Sequence, residues 1–253
     1  MKVVTWNLRS VYIGDGINGF IHRAGMICKK ILDEQPDVIA FQEVIESTLP
    51  VLERMLPEYL FLGHFREVNY GGEGVFTAIK KESIQLLGTE VIWLSPTPYI
   101  SGSRYEIQSP CPRTCIMTQL RHKETGMIFR VFNLHLDHES EEARVLGIKC
   151  AWEFVDEYNK KMEYPYFLLG DLNAKPDSET IKICNGRKDI CELTGQFEFT
   201  FHNYFYGMGK MKIDYIYMSD VLKDKVTKTE IWDDEIEGIY LSDHYPICTE
   251  LEI

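Results

Sequence analysis

Carboxylate, amide and imidazole side chains close a series of apolar, strand-like runs at five places along the chain. Asn7 ends the run 3–6, Glu43 lies just past 38–41, and His135 lies just past 129–132. Asp171 and Asn173 follow 167–169, and Asp243 with His244 follow the short run 239–241. Loops at strand ends are where a rigid sheet presents reactive groups to a substrate. Carboxylate and amide oxygens suit a hard, octahedral Mg²⁺ or Mn²⁺ that meets phosphate directly. A pair of imidazoles can neutralise charge on phosphoryl oxygens, and an oriented Asp can draw a proton from attacking water. The chemistry these groups fit together is metal-assisted hydrolysis of a phosphoester.

Taken singly, each residue has a plainer role. Asn7 can cap a turn, and Glu43 can open the helix that follows it. Gly170-Asp171 is a common turn pair, which Asn173 can stabilise through its own backbone. A histidine such as His244 is more often packed than catalytic. The functional argument therefore rests on joint occurrence.

The elements that position these groups follow from periodicity. Phe20, Ile21, Ala24, Ile27, Cys28 and Ile31 fall at helical spacing, and Pro36 stops that helix before the strand 38–41. A second helix is expected over 46–55, then strands near 59–63, 74–80, 86–94, 114–120 and 127–135. The longest helix should start near Ser140, with Glu141 and Glu142 at the positive end of its dipole, and finish near Lys160 and Lys161. The run 164–169 reads as a strand buried on both faces, and further strands are expected over 212–218, 227–232 and 245–253. This is a layered α/β or α+β pattern, and no linker or internal repeat divides it, so residues 1–253 are expected to form a single domain.

The 253 residues carry 39 Asp and Glu against 27 Lys and Arg, a net charge of −12, which disfavours non-specific capture by nucleic acid or anionic membranes. A bound divalent cation supplies locally the positive field that the whole chain lacks. No apolar run approaches the ~20 residues of a bilayer span, so no membrane partner is expected. The first residues read as a strand rather than a secretory leader, and a cytoplasmic protein is expected. Its seven cysteines are odd in number and read as reduced thiols. Cys111 and Cys115 are the one close pair, and zinc would need a second.

Thr5-Trp6-Asn7, Gln42-Glu43, Asn133-Leu134-His135-Leu136, Gly170-Asp171-Leu172-Asn173, Ile213-Asp214-Tyr215-Ile216 and Ser242-Asp243-His244-Tyr245-Pro246 occur in this order. This series resembles the endonuclease/exonuclease/phosphatase (deoxyribonuclease I-like) superfamily over residues 5–246. The resemblance implies a four-layer α/β/β/α sandwich, two packed sheets flanked by helices, with the active site at one edge, and a Mg²⁺ or sometimes Mn²⁺ cofactor. It makes Glu43 the main metal ligand with Asn7 close by, and Asp243 would complete the metal side or orient His244. His244 would contact the scissile phosphate, Asp171 would orient or deprotonate water, and Asn173 would bind a phosphate oxygen. His135 would stabilise the transition state, and Asp214 would support a histidine.

His135 to His138, Glu141 to Arg144, Cys111 to Arg113 and Thr200 to His202 resemble a closer subgroup, single-domain bacterial members akin to deadenylase-like proteins. Arg113, Arg144 and His202 are accordingly candidates for substrate binding, although an arginine at a helix start is as often an ion-pair partner and a lone His as often packed. The loop 66–74 is either a rim of the cleft or a plain hairpin connection, and 204–210 is an aromatic, glycine-bearing stretch. Asn133-x-His135-x-Asp137-His138 lacks the first histidine of the zinc pattern of metallo-β-lactamase-like hydrolases. Calcineurin-like phosphoesterases need a Gly-Asn-His segment that is absent. The expected substrate is a short single-stranded nucleic acid or a small phosphodiester, with no obligate protein partner. A phosphomonoesterase acting on a small or inositol-type phosphate, or a catalytically silent phosphate-binding module, is the alternative.

Overall fold

The structure, a computed structural model, describes residues 1–10, 13–160, 162–207 and 209–253. The expected helix end at Lys161 and Met208 of the aromatic stretch lie outside the described residues. In chain order the elements begin β1 (Lys2–Asn7), α1 (Phe20–Glu34), β2 (Val38–Ile45), α2 (Leu49–Met55), β3 (Tyr59–Phe65), β4 (Glu73–Lys80) and β5 (Ile84–Trp93). They continue β6 (Thr114–His122), β7 (Ile128–His135), α3 (Glu141–Asn159), β8 (Tyr166–Asp171), α4 (Glu179–Asn185) and β9 (Ile190–Glu192). The last are β10 (Asp214–Ser219), β11 (Val226–Ile231), β12 (Glu235–Ile236), β13 (Ile239–Tyr240) and β14 (Ile247–Leu251).

Two six-stranded mixed sheets result, ordered β11-β14-β1-β2-β4-β3 and β5-β6-β7-β8-β10-β9. Strand alternation divides their side chains between three apolar layers. Val3, Val38, Phe129, Val131, Phe167, Leu169, Ile216 and Met218 fill the layer between the sheets. Val4, Trp6, Ile39 and Phe41 face the other way, onto Ile27 and Ile31 of α1 and Leu52 of α2. Phe132, Leu134, Leu168, Tyr215 and Tyr217 meet Ile148, Trp152 and Val155 of α3 and Ile181 of α4. The architecture is therefore helix, sheet, sheet, helix, and β8 is apolar from Phe167 to Leu169 because both of its faces are covered.

Helix α3 begins as its sequence suggests: Ser140 Oγ accepts from Ala143 N at 3.1 Å, with Glu141 and Glu142 in the first turn. The expected second helix is shorter, because β2 runs on to Ile45 and Thr48 caps α2 after a turn. The run 239–241 is no sheet strand. Ile239–Tyr240 pairs with Glu235–Ile236 in a small hairpin, and Asp243 comes before the sheet strand β14 rather than after one. Because β14 is antiparallel to β1, with Thr5 opposite Ile247, its start lies at the same sheet edge as the end of β1.

Candidate active site

Register brings the chemistry-bearing residues together. Parallel pairing sets Asn7 beside Gln42 and His135 beside Asp171, and antiparallel pairing sets Asp214 opposite Asp171. A buried amide tie fixes the two sheets to each other nearby: Gln42 Nε2 donates to Asn133 Oδ1 at 2.8 Å, and Asn133 Nδ2 donates to the carbonyls of Phe41 and Phe76 at 3.1 Å.

Two backbone features aim the carboxylates. The β2–β4 register breaks between Phe41 and Val44, and Glu43 sits in that bulge with a left-handed φ of 58°. Gly170 has a φ of 145°, and a Cβ there would lie 1.9 Å from the carbonyl oxygen of Leu134, so Asp171 can end β8 this close to β7 only behind a glycine.

Asn7, Glu43 and Asp171 form a connected set. Asn7 Nδ2 donates to Glu43 Oε1 at 3.0 Å and to Asp171 Oδ2 at 2.9 Å, while its Oδ1 accepts from Arg9 N at 2.9 Å. Ser10 N donates to the other Glu43 oxygen at 3.2 Å. Burial, then the nearby Glu73 and Asp243, push the Glu43 carboxyl up to about 7 against the hydrogen bond from Asn7. Burial and Asp214 likewise push Asp171 up to about 6, although His244 and the amides of Asn173 and Asn7 favour its anion. Its Oδ1 accepts from Asn173 N at 2.8 Å, so the turn role expected of this pair is also how the carboxylate is held.

The two histidines take opposite charge states. His244 Nδ1 donates to Asp214 Oδ2 at 2.8 Å, an oxygen that also accepts from Thr200 Oγ1 at 2.6 Å. Burial opposes the cation, yet Asp214, Asp243 and Asp171 raise the ring to about 10, so it is an imidazolium at neutral pH. Its Nε2 lies 3.9 Å from Asp171 Oδ2 and 4.0 Å from Asp243 Oδ1. His135 is driven well below the usual histidine range by burial, then by Arg113 and Arg66. As a neutral ring it accepts at Nε2 from Asn173 Nδ2, 3.1 Å away.

Asp171, Asp214 and His244 are close enough to hold an ion among themselves. We read them instead as a charge pair with its neighbour, because Asp214, Asp243 and Asp171 together keep the ring protonated and an imidazolium offers no lone pair to a metal. The sign of the pair's effect is set by the raised His244. Its stabilisation is complete below about 6.5 and lost as pH rises through about 10. The urea midpoint of metal-free protein should fall over that interval, and the fall should shrink in His244→Gln; an equal slope in both proteins would contradict the pairing.

These groups open into a cleft of about 460 Å³ lined by Glu43, His135, Asp171, Asn173, Asp243 and His244. Asn7 and Asp214 are buried and stand behind that surface. Arg113 lines the cleft as expected. It donates to His138 Nδ1 at 2.9 Å, and its Nε and Nη1 have no hydrogen-bond partner among the described residues. Arg144 and His202 are not brought to the cleft. Arg144 bonds Glu141 at 2.8 Å and the Asp137 carbonyl at 3.0 Å, closing the first turn of α3. His202 is fully buried among Phe205, Tyr240 and Tyr245, and its backbone N donates to Asp243 O at 2.9 Å.

Sequence reasoning passed over Arg9, gave Thr200 no role beyond its motif, and treated Arg66 and Glu73 only as part of a loop. The loop 66–74 is both things it was read as: it joins β3 to β4 as a hairpin and sends Arg66 and Glu73 into the cleft wall. Arg9 pairs with Asp15 at 3.2 Å, and its Nε lies 3.5 Å from Asp243 Oδ2. Its place two residues after Asn7 was the available signal.

Comparison with known proteins finds relatives both in sequence and in fold. The chain is 26% identical over 205 residues to Nocturnin of Drosophila melanogaster, covering 70% of this chain and 29% of that protein. It is 25% identical over 178 residues to the RNA exonuclease NGL1 of Saccharomyces cerevisiae, covering 56% of this chain and 49% of that one. The chain thus spans less than half the length of the curated relatives it matches. A solved endonuclease/exonuclease/phosphatase from Bacteroides vulgatus superposes with a TM-score of 0.89 at 26% identity, covering 99% of this chain and 98% of the other. The profile of the Endonuclease/Exonuclease/phosphatase family matches residues 4–244, so the chain belongs to that family of metal-dependent phosphoester hydrolases.

Proposed function

We propose that the protein is a phosphoesterase that uses Mg²⁺ or Mn²⁺ and attacks phosphorus directly with water, residues 1–253 acting as one catalytic domain. The observation that carries the reading is the joint presence, in one cleft, of an Asp171 carboxyl held near neutral pKa and an imidazolium at His244. The donor chemistry also fits a hard dication: Glu43 and Asp243 offer carboxylate oxygens at the cleft, crowded enough to raise Glu43, and these outnumber the single thiol, Cys111, among the described lining residues. Glu43 and Asp243 would hold the ion with Asn7 behind them. When bound, it would polarise a phosphoryl oxygen and balance the negative charge that builds there.

The chain's own groups do the rest. Asp171, fixed by Asn7 and by Asn173 N, accepts the proton of the attacking water. His244, kept charged by Asp214, donates to a phosphoryl oxygen from Nε2. Asn173 Nδ2, which donates to His135 Nε2 and to the Leu136 carbonyl, lies with the neutral His135 on the cleft wall, and release of its bond to His135 would free one N–H for a further phosphate or leaving-group oxygen. No covalent enzyme intermediate is required.

For substrate we infer a short single-stranded nucleic acid or a small phosphodiester. The RNA exonuclease among the relatives supports it, and the net charge of −12 argues against a duplex-binding face. A second reading, a phosphomonoester, is favoured by Arg9, Arg66, Arg113 and His244 lining one small cleft, a cationic set suited to a dianion. No helix among the described residues is long and apolar enough to cross a membrane. The seven unpaired cysteines favour a reducing compartment such as the cytoplasm.

A panel decides between these substrates: single-stranded RNA and DNA, duplex DNA, inositol phosphates, and bis-p-nitrophenyl against p-nitrophenyl phosphate, each with Mg²⁺, Mn²⁺ or chelator. Metal-dependent cleavage of diesters is expected. Cleavage of monoesters alone would favour the second reading, and metal binding without turnover on any member would point to a silent binding module.

A further inference from the structure

Among the described residues, one buried cation near the site hydrogen-bonds to backbone alone. Arg23, in the first turn of α1, is 0% exposed. Its Nε donates to Asn18 O, its Nη1 to Leu8 O at 2.9 Å and Leu241 O at 2.7 Å, and its Nη2 to Arg9 O at 2.6 Å. It has no ion pair among the described residues, and Asp243 and Asp15 act on it only through space.

Those carbonyls belong to the segments that carry the site. Leu8 and Arg9 directly follow Asn7, and Leu241 precedes Ser242 and Asp243. Each lies beyond its strand, since β1 ends at Asn7 and β13 at Tyr240, and Arg9 is left-handed with a φ of 50°. From the other side Ser242 Oγ donates to Asn7 O at 2.6 Å. A guanidinium buried without a carboxylate is costly, and its removal would leave four buried carbonyls without that donor. What its fork does that no apolar group can is hold several carbonyls at set separations, and a lysine, with three donors on one atom, cannot span them.

We propose that Arg23 is a positioning residue of this site, setting the spacing between the segment after Asn7 and the segment before Asp243 so that Glu43 and Asp243 face one cation. This rests on the reading of those two carboxylates as cation ligands. Arg23 does not line the cleft, so its loss should spare substrate affinity and fall on the metal and on turnover.

The test uses Arg23→Lys and Arg23→Met, with Arg130→Lys as a control at a buried arginine of β7 outside the cleft. Folding is followed by circular dichroism, Mn²⁺ affinity by calorimetry, and kcat and KM on the best substrate of the panel. Folded Arg23 variants should lose about 10- to 100-fold in both kcat and Mn²⁺ affinity, KM staying within about threefold and Arg130→Lys near wild type. Values within about twofold of wild type for both quantities would overturn the proposal. If neither Arg23 variant folds, Ser242→Ala, which loosens the same junction, carries the test: it should weaken Mn²⁺ binding, and unchanged binding would overturn the proposal. If wild type binds Mn²⁺ but hydrolyses nothing, the hydrolase reading fails while Mn²⁺ affinity alone still decides the role of Arg23. Absence of Mn²⁺ binding by wild type would overturn both.

Discussion

Glu43→Gln is expected to lower metal-dependent turnover by about three orders of magnitude or more while leaving the metal-free fold intact or firmer. The glutamine keeps an oxygen for Asn7 Nδ2, now 3.0 Å from Glu43 Oε1, and gives up only the longer bond from Ser10 N. What is removed is the anion that a dication needs. The stability effect has a sign fixed by the raised carboxyl. With a folded value of about 7, Glu43 stabilises fully only below the usual carboxylate range, and that contribution is lost as pH rises through about 7. Above pH 7 the buried anion costs up to a few kcal/mol in metal-free protein, a cost the variant lacks. Urea unfolding in chelator should therefore show Glu43→Gln at least as stable as wild type at pH 8, with the difference closing toward pH 5. A variant that folds, binds Mn²⁺ normally and turns over normally would remove Glu43 from the site.

The second large effect is at the Asp214–His244 pair. Asp214→Asn keeps the shape of the partner but removes the charge that sustains the imidazolium, and the burial of His244 then lowers its pKa unopposed by its main partner. The rate at pH 7 to 8 should fall by about 10²- to 10⁴-fold. More tellingly, the alkaline limb of the pH–rate profile, expected near 10 in wild type, should move down by several pH units, narrowing the active range from the alkaline side. His244→Gln should lose activity at every pH and show no such limb. If Asp214→Asn lowers the rate uniformly without moving the limb, Asp214 serves shape alone.

Particular residues show why some of this was readable from sequence and some was not. The strands β1, β7 and β8 announce themselves because a sandwich buried on both faces demands strands rich in apolar residues, and the candidate site residues lie at or just past their ends. Register then does what sequence order cannot show: it sets His135 beside Asp171 and Asp214 opposite it. The bulge that turns Glu43 inward has no composition signal, since its left-handed residue is not a glycine. Asp243 was placed at a strand end by a short apolar run that proves to be a hairpin outside the main sheets; it reaches the site because β14 runs antiparallel to β1. Arg144 and His202 matched a motif, yet one is taken by its own helix start and the other by an aromatic cluster. Arg66 and Glu73 come from a hairpin whose residue types look ordinary, and only the packing of the two sheets brings them to the cleft.

The most direct test of the account is the initial rate of phosphoester hydrolysis by wild-type protein as Mg²⁺ or Mn²⁺ is raised from a chelated zero to millimolar. The account predicts no hydrolysis in chelator and a saturable rise on adding metal, with the midpoint moving to higher metal concentration as pH falls below about 7 and Glu43 takes up its proton. Hydrolysis that proceeds undiminished in chelator would contradict it.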